Sequence, residues 1–166
     1  PGGSQNTAGG DNSFAAGHLA WVGPDAHGSF VWSDNHDFYT RSWNPNEFVA
    51  RATGGFWFFT GIDGSGNVTG GARLPANEGT WYDLSDRNAK ANFAAIDGRD
   101  VLARLATIPI QTWNYKAQTP AVRHIGPMAQ DFYAAFGMGG DEHYISTVDA
   151  DGVALAAIQG LYQTVQ

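Results

Sequence analysis

The segment Leu84-Ser85-Asp86-Arg87-Asn88-Ala89-Lys90 sets a serine hydroxyl and a lysine amine five residues apart, groups from which a hydrolytic nucleophile and its base can be made. A serine hydroxyl attacks a carbonyl only when a base removes its proton. A lysine is that base only when uncharged, so its pKa must fall from about 10.4 through burial or neighbouring positive charge. Arg87 and Arg123 are the candidate positive neighbours. On an ideal helix, residues five apart point about 140° away from one another, so the two groups meet only if Ser85 stands outside the regular helix. The same residues also read as an ordinary helix start, with Ser85 as N-cap and Asp86 in the first turn. Spacing alone favours the cap.

Other chemistry-bearing residues are less ordered. His18, His27, His36, His124 and His143 are scattered without the spacing of a metal site, so no metal or other cofactor is expected. Asp34, His36 and Asp37 form a polar cluster able to hold a cation, although loop hydrogen bonding is the safer reading. Asp63-x-Ser65-x-Asn67 superficially matches a calcium loop but lacks the later acidic ligand, and Gly64-x-Gly66 lacks the helix and lysine of a phosphate loop. Trp21, Trp32, Trp43 and Trp81 can stack on sugars, but packing within or between chains is the commoner use of such residues in a repeat fibre.

The formal charge of −7 and the nine scattered basic residues argue against a nucleic-acid surface. No run of about 18 apolar residues is present to span a membrane. The chain has no cysteine, which removes disulfides and thiolate chemistry. Without a methionine or a leader at its start, Pro1 reads as the beginning of a fragment or a processed product.

Composition divides the chain. Fourteen of the 22 glycines fall in the first 71 positions, while the helix-building apolar residues gather in the last 80. We therefore expect a β-rich segment over 1–80 and a mixed α/β domain over 81–166, an α+β chain overall. Within the first 46 residues Gly10-Asp11-Asn12-Ser13-Phe14-Ala15-Ala16-Gly17 is echoed by Ala26-His27-Gly28-Ser29-Phe30-Val31-Trp32-Ser33-Asp34. Short apolar pieces of this kind become stable when stacked coil upon coil. The pattern resembles the β-roll heads of trimeric adhesins. Strands are then expected over 47–53, 56–60 and 68–74, with Asp63 to Asn67 as the turn. Aromatics at 56–59 fall on both faces of a sheet, which favours a partner chain or a stacked layer. Further on, Asp97 caps a helix through Val101, Leu102, Leu105 and Ile108, ended by Pro109. Strands are expected over 110–116, 122–125 and 144–148, with a helix over 127–136 between the last two. A final helix from Asp149 carries Val153, Leu155, Ala156, Ile158, Leu161, Tyr162 and Val165 near heptad spacing, as at the start of a three-stranded coil.

Ser85-Asp86-x-x-x-Lys90, then Thr112-Trp113-Asn114-Tyr115-Lys116, Arg123-His124-Ile125-Gly126-Pro127-Met128-Ala129-Gln130-Asp131-Phe132, Ile145-Ser146-Thr147-Val148-Asp149 and the closing helix follow in a telling order. Together they resemble the intramolecular chaperone and self-processing domain of endosialidase-type tailspikes, over roughly residues 81–166. The resemblance implies a Ser85–Lys90 dyad that cuts the Leu84–Ser85 bond, with Ser85–Asp86 as the second choice. Asp86, Arg87, Arg123 and His124 are its candidate supporting residues, His124 as a packed or hydrogen-bonding neighbour and not the base. It further implies a homotrimer that registers the upstream fibre segment of the same chain, outside the cell on a virion tail fibre or a bacterial surface. The alternatives are a non-cleaving adhesive tip that binds a surface receptor and a sugar-binding module in the tryptophan-rich half.

Overall fold

The computed structural model describes residues 2–166, which form two compact units, the first running to Ala89 and the second spanning Lys90–Gln166. Each unit has its own core.

The first unit opens as a stack of coils, each built from two short strands. Coil one holds β1 (Gly3–Ser4) and β2 (Thr7–Ala8), coil two β3 (Phe14–His18) and β4 (Ala20–Val22), and coil three β5 (Phe30–Ser33) and β6 (Thr40–Ser42); β7 (Phe48–Arg51) begins a fourth. Strands pair in parallel only with their counterparts in neighbouring coils, giving the sheets β1-β3-β5-β7 and β2-β4-β6. This is a β-solenoid, and its register pairs Phe14 with Phe30 and Phe30 with Phe48. Their rings stack outward at 4.9 and 4.7 Å, tilted by only 10° and 1°. Inside, Ala20, Val22, Ala26 and Val31 are fully buried, with Ala15 and Val49 against them. The core is narrow, so hydroxyls share it: Ser33 Oγ and Thr40 Oγ1 are 3.0 Å apart, and Ser29 Oγ donates to the Asn44 carbonyl at 3.0 Å. Gly17 is required where coils touch, because a Cβ there would strike the Ser33 carbonyl of the next coil.

Coils one and two turn their corner through a single left-handed residue, Gln5 (φ 58°) and Leu19 (φ 59°) respectively. Coil three instead inserts residues 34–39, and Arg51 ties this loop down. Its Nε donates to Asp34 Oδ1 (2.8 Å), and its terminal nitrogens donate to the carbonyls of Phe38 (2.6 Å) and His36 (2.9 Å). Asp34 Oδ2 accepts from the Thr53 amide (2.8 Å) and hydroxyl (2.7 Å).

After the coils the unit changes to an antiparallel meander of β8 (Gly55–Ile62), β9 (Val68–Pro75) and β10 (Tyr82–Asp83), in the order β10-β9-β8. Trp57, Phe58 and Phe59 alternate across both faces of this sheet, as the sequence suggested, and each is about half exposed.

The second unit packs α1 (Gly98–Leu105), the hairpin of β11 (Gln111–Trp113) and β12 (His124–Gly126), α2 (Ala129–Phe136) and α3 (Thr147–Thr164). Val101, Ile108, Phe132, Val153, Ala156 and Ala157 form its core. Two glycines set the crossing of α1 and α3: a Cβ on Gly160 would collide with the backbone of Gly98, and one on Gly98 with Ala156 and Gly160.

Several expected boundaries are corrected. Asp97 does cap α1, accepting from the Arg99 amide, but the helix ends at Leu105 and Ile108 follows in a turn, in keeping with the bias against helical backbone before Pro109. The strand expected over 110–116 stops at Trp113, because Tyr115 and Gln118 bond each other in a turn: the Tyr115 amide donates to Gln118 Oε1 (3.0 Å) and the Gln118 amide to the Tyr115 carbonyl (2.9 Å). The partner strand begins at His124, two residues later than expected, after the Val122 amide closes a turn on Thr119. No strand forms over 144–148. Ser146 instead caps α3, accepting from the Asp149 amide (3.1 Å), so the helix starts at Thr147 and not at Asp149.

Candidate cleavage site

β10 is the last strand of the first unit, and it is short. Tyr82 pairs with Arg73 and Asp83 with Ala72 across the ladder. One residue beyond lies Leu84, then Ser85 in irregular backbone, then a single 3-10 turn over Arg87–Ala89. No α-helix begins at Ser85, so the N-cap expected there is corrected. The turn is organised one residue later by Asp86, whose Oδ1 accepts from the Asn88 amide at 2.9 Å and whose carbonyl accepts from the Ala89 amide at 3.1 Å. Left-handed backbone at Asn92 (φ 56°) follows, which prevents the turn from growing into a helix.

Leu84 and Ser85 border a cleft of about 360 Å³ on the aromatic face of the meander, with Trp57, Phe59, Arg73 and Tyr82 among its walls. Arg73 stands on the middle strand of the meander. Its guanidinium carbon is 5.1 Å from the Trp57 ring centroid and 5.6 Å from that of Tyr82, and the three residues are consecutive cross-strand partners. Ser85 lies near the end of the first unit and is exposed; Lys90 opens the second unit and is exposed as well.

The two expected supporting residues of the hairpin are engaged there. Arg123 donates to Asn114 Oδ1 (3.0 Å) and Thr112 Oγ1 (2.9 Å), across from its own strand. The His124 ring lies tilted against Trp113, with centroids 4.7 Å apart, and its Nε2 is 2.9 Å from Gln118 Oε1. That oxygen already accepts from the Tyr115 amide and has no proton to give, so His124 Nε2 is the donor of the pair.

The remaining candidates resolve into loop chemistry. Asp34, His36 and Asp37 do not converge on one point: Asp34 serves Arg51 and Thr53, while Asp37 pairs with His18 at 2.7 Å. Burial works to raise the Asp34 carboxyl, but the hydrogen bonds from Thr53, Arg51 and His36 together hold it well below the usual carboxylate range. Asp63 spends Oδ1 on the amides of Ser65 and Asn67, both at 2.8 Å, and the Asn67 side chain leads the contacts that lower its carboxyl. Among the described residues no group of three or more His, Cys, Asp or Glu is placed to hold a metal ion. Trp21 and Trp43 surround Arg41 together with Tyr39, whose ring lies 4.7 Å from the guanidinium carbon.

The sequence reading did not single out Arg73, Trp57 or Tyr82 as a set. Their alignment depends on a register interrupted by irregular pairing between Phe59 and Ile62, which a count of residues from the turn does not give.

The first unit holds the β-solenoid and the meander, and the second holds three helices and a hairpin. Residues 85–140, about a third of the chain, match the family described as chaperone of endosialidase. The matched stretch starts at Ser85, contains Lys90, Arg123 and His124, and stops before α3. A chaperone role is the function this match supports. No curated protein and no solved structure matches the chain significantly.

Proposed function

We propose that the second unit assembles three chains side by side, registers the β-rich fibre segment that precedes it, and then separates from that segment by self-cleavage. Parallel solenoid pairing is non-local, slow to form and prone to slip, so a helical unit that gathers the chains first shortens the search.

The surface of α3 carries this reading. Val153, Ala156, Ala157 and Gly160 are buried against the core of their own unit. Leu155, Ile158, Tyr162 and Val165, on the roughly opposite face, are all more than 60 % exposed. Their spacing of three, four and three residues is a coiled-coil seam, which two further copies of the helix would cover. A helix apolar on both faces is unsuited to a lone chain in water.

The cut follows from Ser85 and Lys90. Uncharged Lys90 takes the proton from Ser85 Oγ as that oxygen attacks the Leu84 carbonyl carbon. The Leu84–Ser85 C–N bond then breaks, the Ser85 amine takes the proton from Lys90, and the Leu84 acyl group is left as an ester on Oγ. Water hydrolyses the ester to a Leu84 carboxylate and restores the Ser85 hydroxyl. Closure of three chains around Lys90 would remove it from water and favour its uncharged form, so that cutting reports assembly. A phage tail fibre or another surface fibre is the setting that fits.

The purified protein run on a denaturing gel tests this against Ser85→Ala. The expected result is two fragments from the wild type and one full-length chain from the variant. Full-length wild type in a trimeric fraction would refute cleavage and leave a permanent adhesive tip. That second reading is favoured by the exposed Tyr39 and Trp43 around Arg41, a surface with the chemistry to meet a receptor.

A further inference from the structure

Resting on the cleavage reading, we infer that Arg73 is a positioning residue that holds β10 in the cleft and so presents the Leu84 carbonyl to Ser85. Only two register pairs, Tyr82 with Arg73 and Asp83 with Ala72, tie β10 to its sheet. A strand so short has little ladder to anchor it, and the bond to be cut lies just past its end. What fixes it laterally is the layer of Trp57, Arg73 and Tyr82, with the guanidinium between the two rings at 5.1 and 5.6 Å. A planar guanidinium stacks on both rings at once, which the compact lysine ammonium does less well. The carbonyl attacked is two residues beyond Tyr82, so freeing the Tyr82 ring lets the scissile peptide leave the cleft and lowers the fraction of time in which attack is in line. Arg73 transfers no proton and touches no reacting atom.

The experiment is a time course of cleavage in freshly assembled trimer, isolated by size and followed on denaturing gels. Arg73→Ala and Trp57→Leu are each expected to slow the first-order rate by on the order of tenfold to a hundredfold. Arg73→Lys is expected between them and the wild type, and Tyr82→Phe, which keeps the ring, at the wild-type rate. The pH dependence of the rate should keep its midpoint in all variants, since position and not proton affinity is altered. Cleavage at the wild-type rate in both Arg73→Ala and Trp57→Leu would overturn the inference while leaving the Ser85–Lys90 reading intact. A displaced pH midpoint in Arg73→Ala would also overturn it, by making Arg73 an electrostatic partner of the base. A wild type that never cuts removes the cleavage reading itself.

Discussion

Asp34 and Glu47 are the residues on which the acid stability of the solenoid turns. The Glu47 carboxylate caps the bend after β6, accepting from the Asn44 side chain and amide, the Ser42 hydroxyl and the Trp43 amide, and these contacts push it down to about 2. Asp34 is lowered too, by Thr53 and Arg51 acting against its burial. Both folded values lie below the unfolded ones, near 4, so the stabilisation is complete above about pH 4.5 and disappears as pH falls from there toward 2. Urea midpoints of the first unit should therefore be flat from neutral pH down to about pH 4.5 and drop steeply below it, and Glu47→Gln should flatten part of that drop. Arg51→Ala is expected to cost about 1–3 kcal/mol, because it removes the donor to the Phe38 and His36 carbonyls and the charged partner of Asp34. A thermal melt unchanged by that substitution would show the 34–39 loop to be held by other means.

Among the elements, the crossing of α1 and α3 is the least forgiving. Gly160→Ala would drive a methyl group into the Gly98 backbone, and overpacking of this kind costs about 1–3 kcal/mol, read as a lower melting temperature of the second unit. The outer face of α3 should behave oppositely. Ile158→Glu leaves the buried face untouched, so helical circular dichroism is expected to persist while light scattering reports a monomer. A trimer that survives Ile158→Glu would refute the seam. Much of this was legible in the sequence. The pairing of Phe14 with Phe30 is the spacing of the visible repeat, and the period of the final helix marks its apolar stripe. The continuation of the repeat into β7 is hidden: Phe48 lies eighteen residues after Phe30 where Phe30 lies sixteen after Phe14, because the 34–39 loop lengthens the third coil. Ser146 misled for a different reason. Ile145-Ser-Thr-Val148 has strand composition, and only the hydroxyl bond to the Asp149 amide turns it into a helix start. At the junction the identity of Ser85 was readable but its surroundings were not, since the Trp57–Arg73–Tyr82 layer exists only after the meander has set its register.

For the molecule as a whole, the central claim is that assembly and scission are one event at one bond. The junction suits such a cut: Leu84–Ser85 lies after the last ladder pair of the meander and before the turn at Arg87–Ala89, so breaking it opens neither. In each unit large apolar side chains remain exposed, with Phe48 at 71 % in the solenoid and Val165 at 73 % just after α3, surfaces that neighbouring chains would cover. Intact mass measurement of fractions separated by size tests the claim most directly. The account predicts that the trimeric fraction contains a fragment ending at Leu84 and one beginning at Ser85, and that monomer contains only the uncut chain. Uncut chain throughout the trimer, a cut between Ser85 and Asp86, or cleavage in isolated monomer would contradict it.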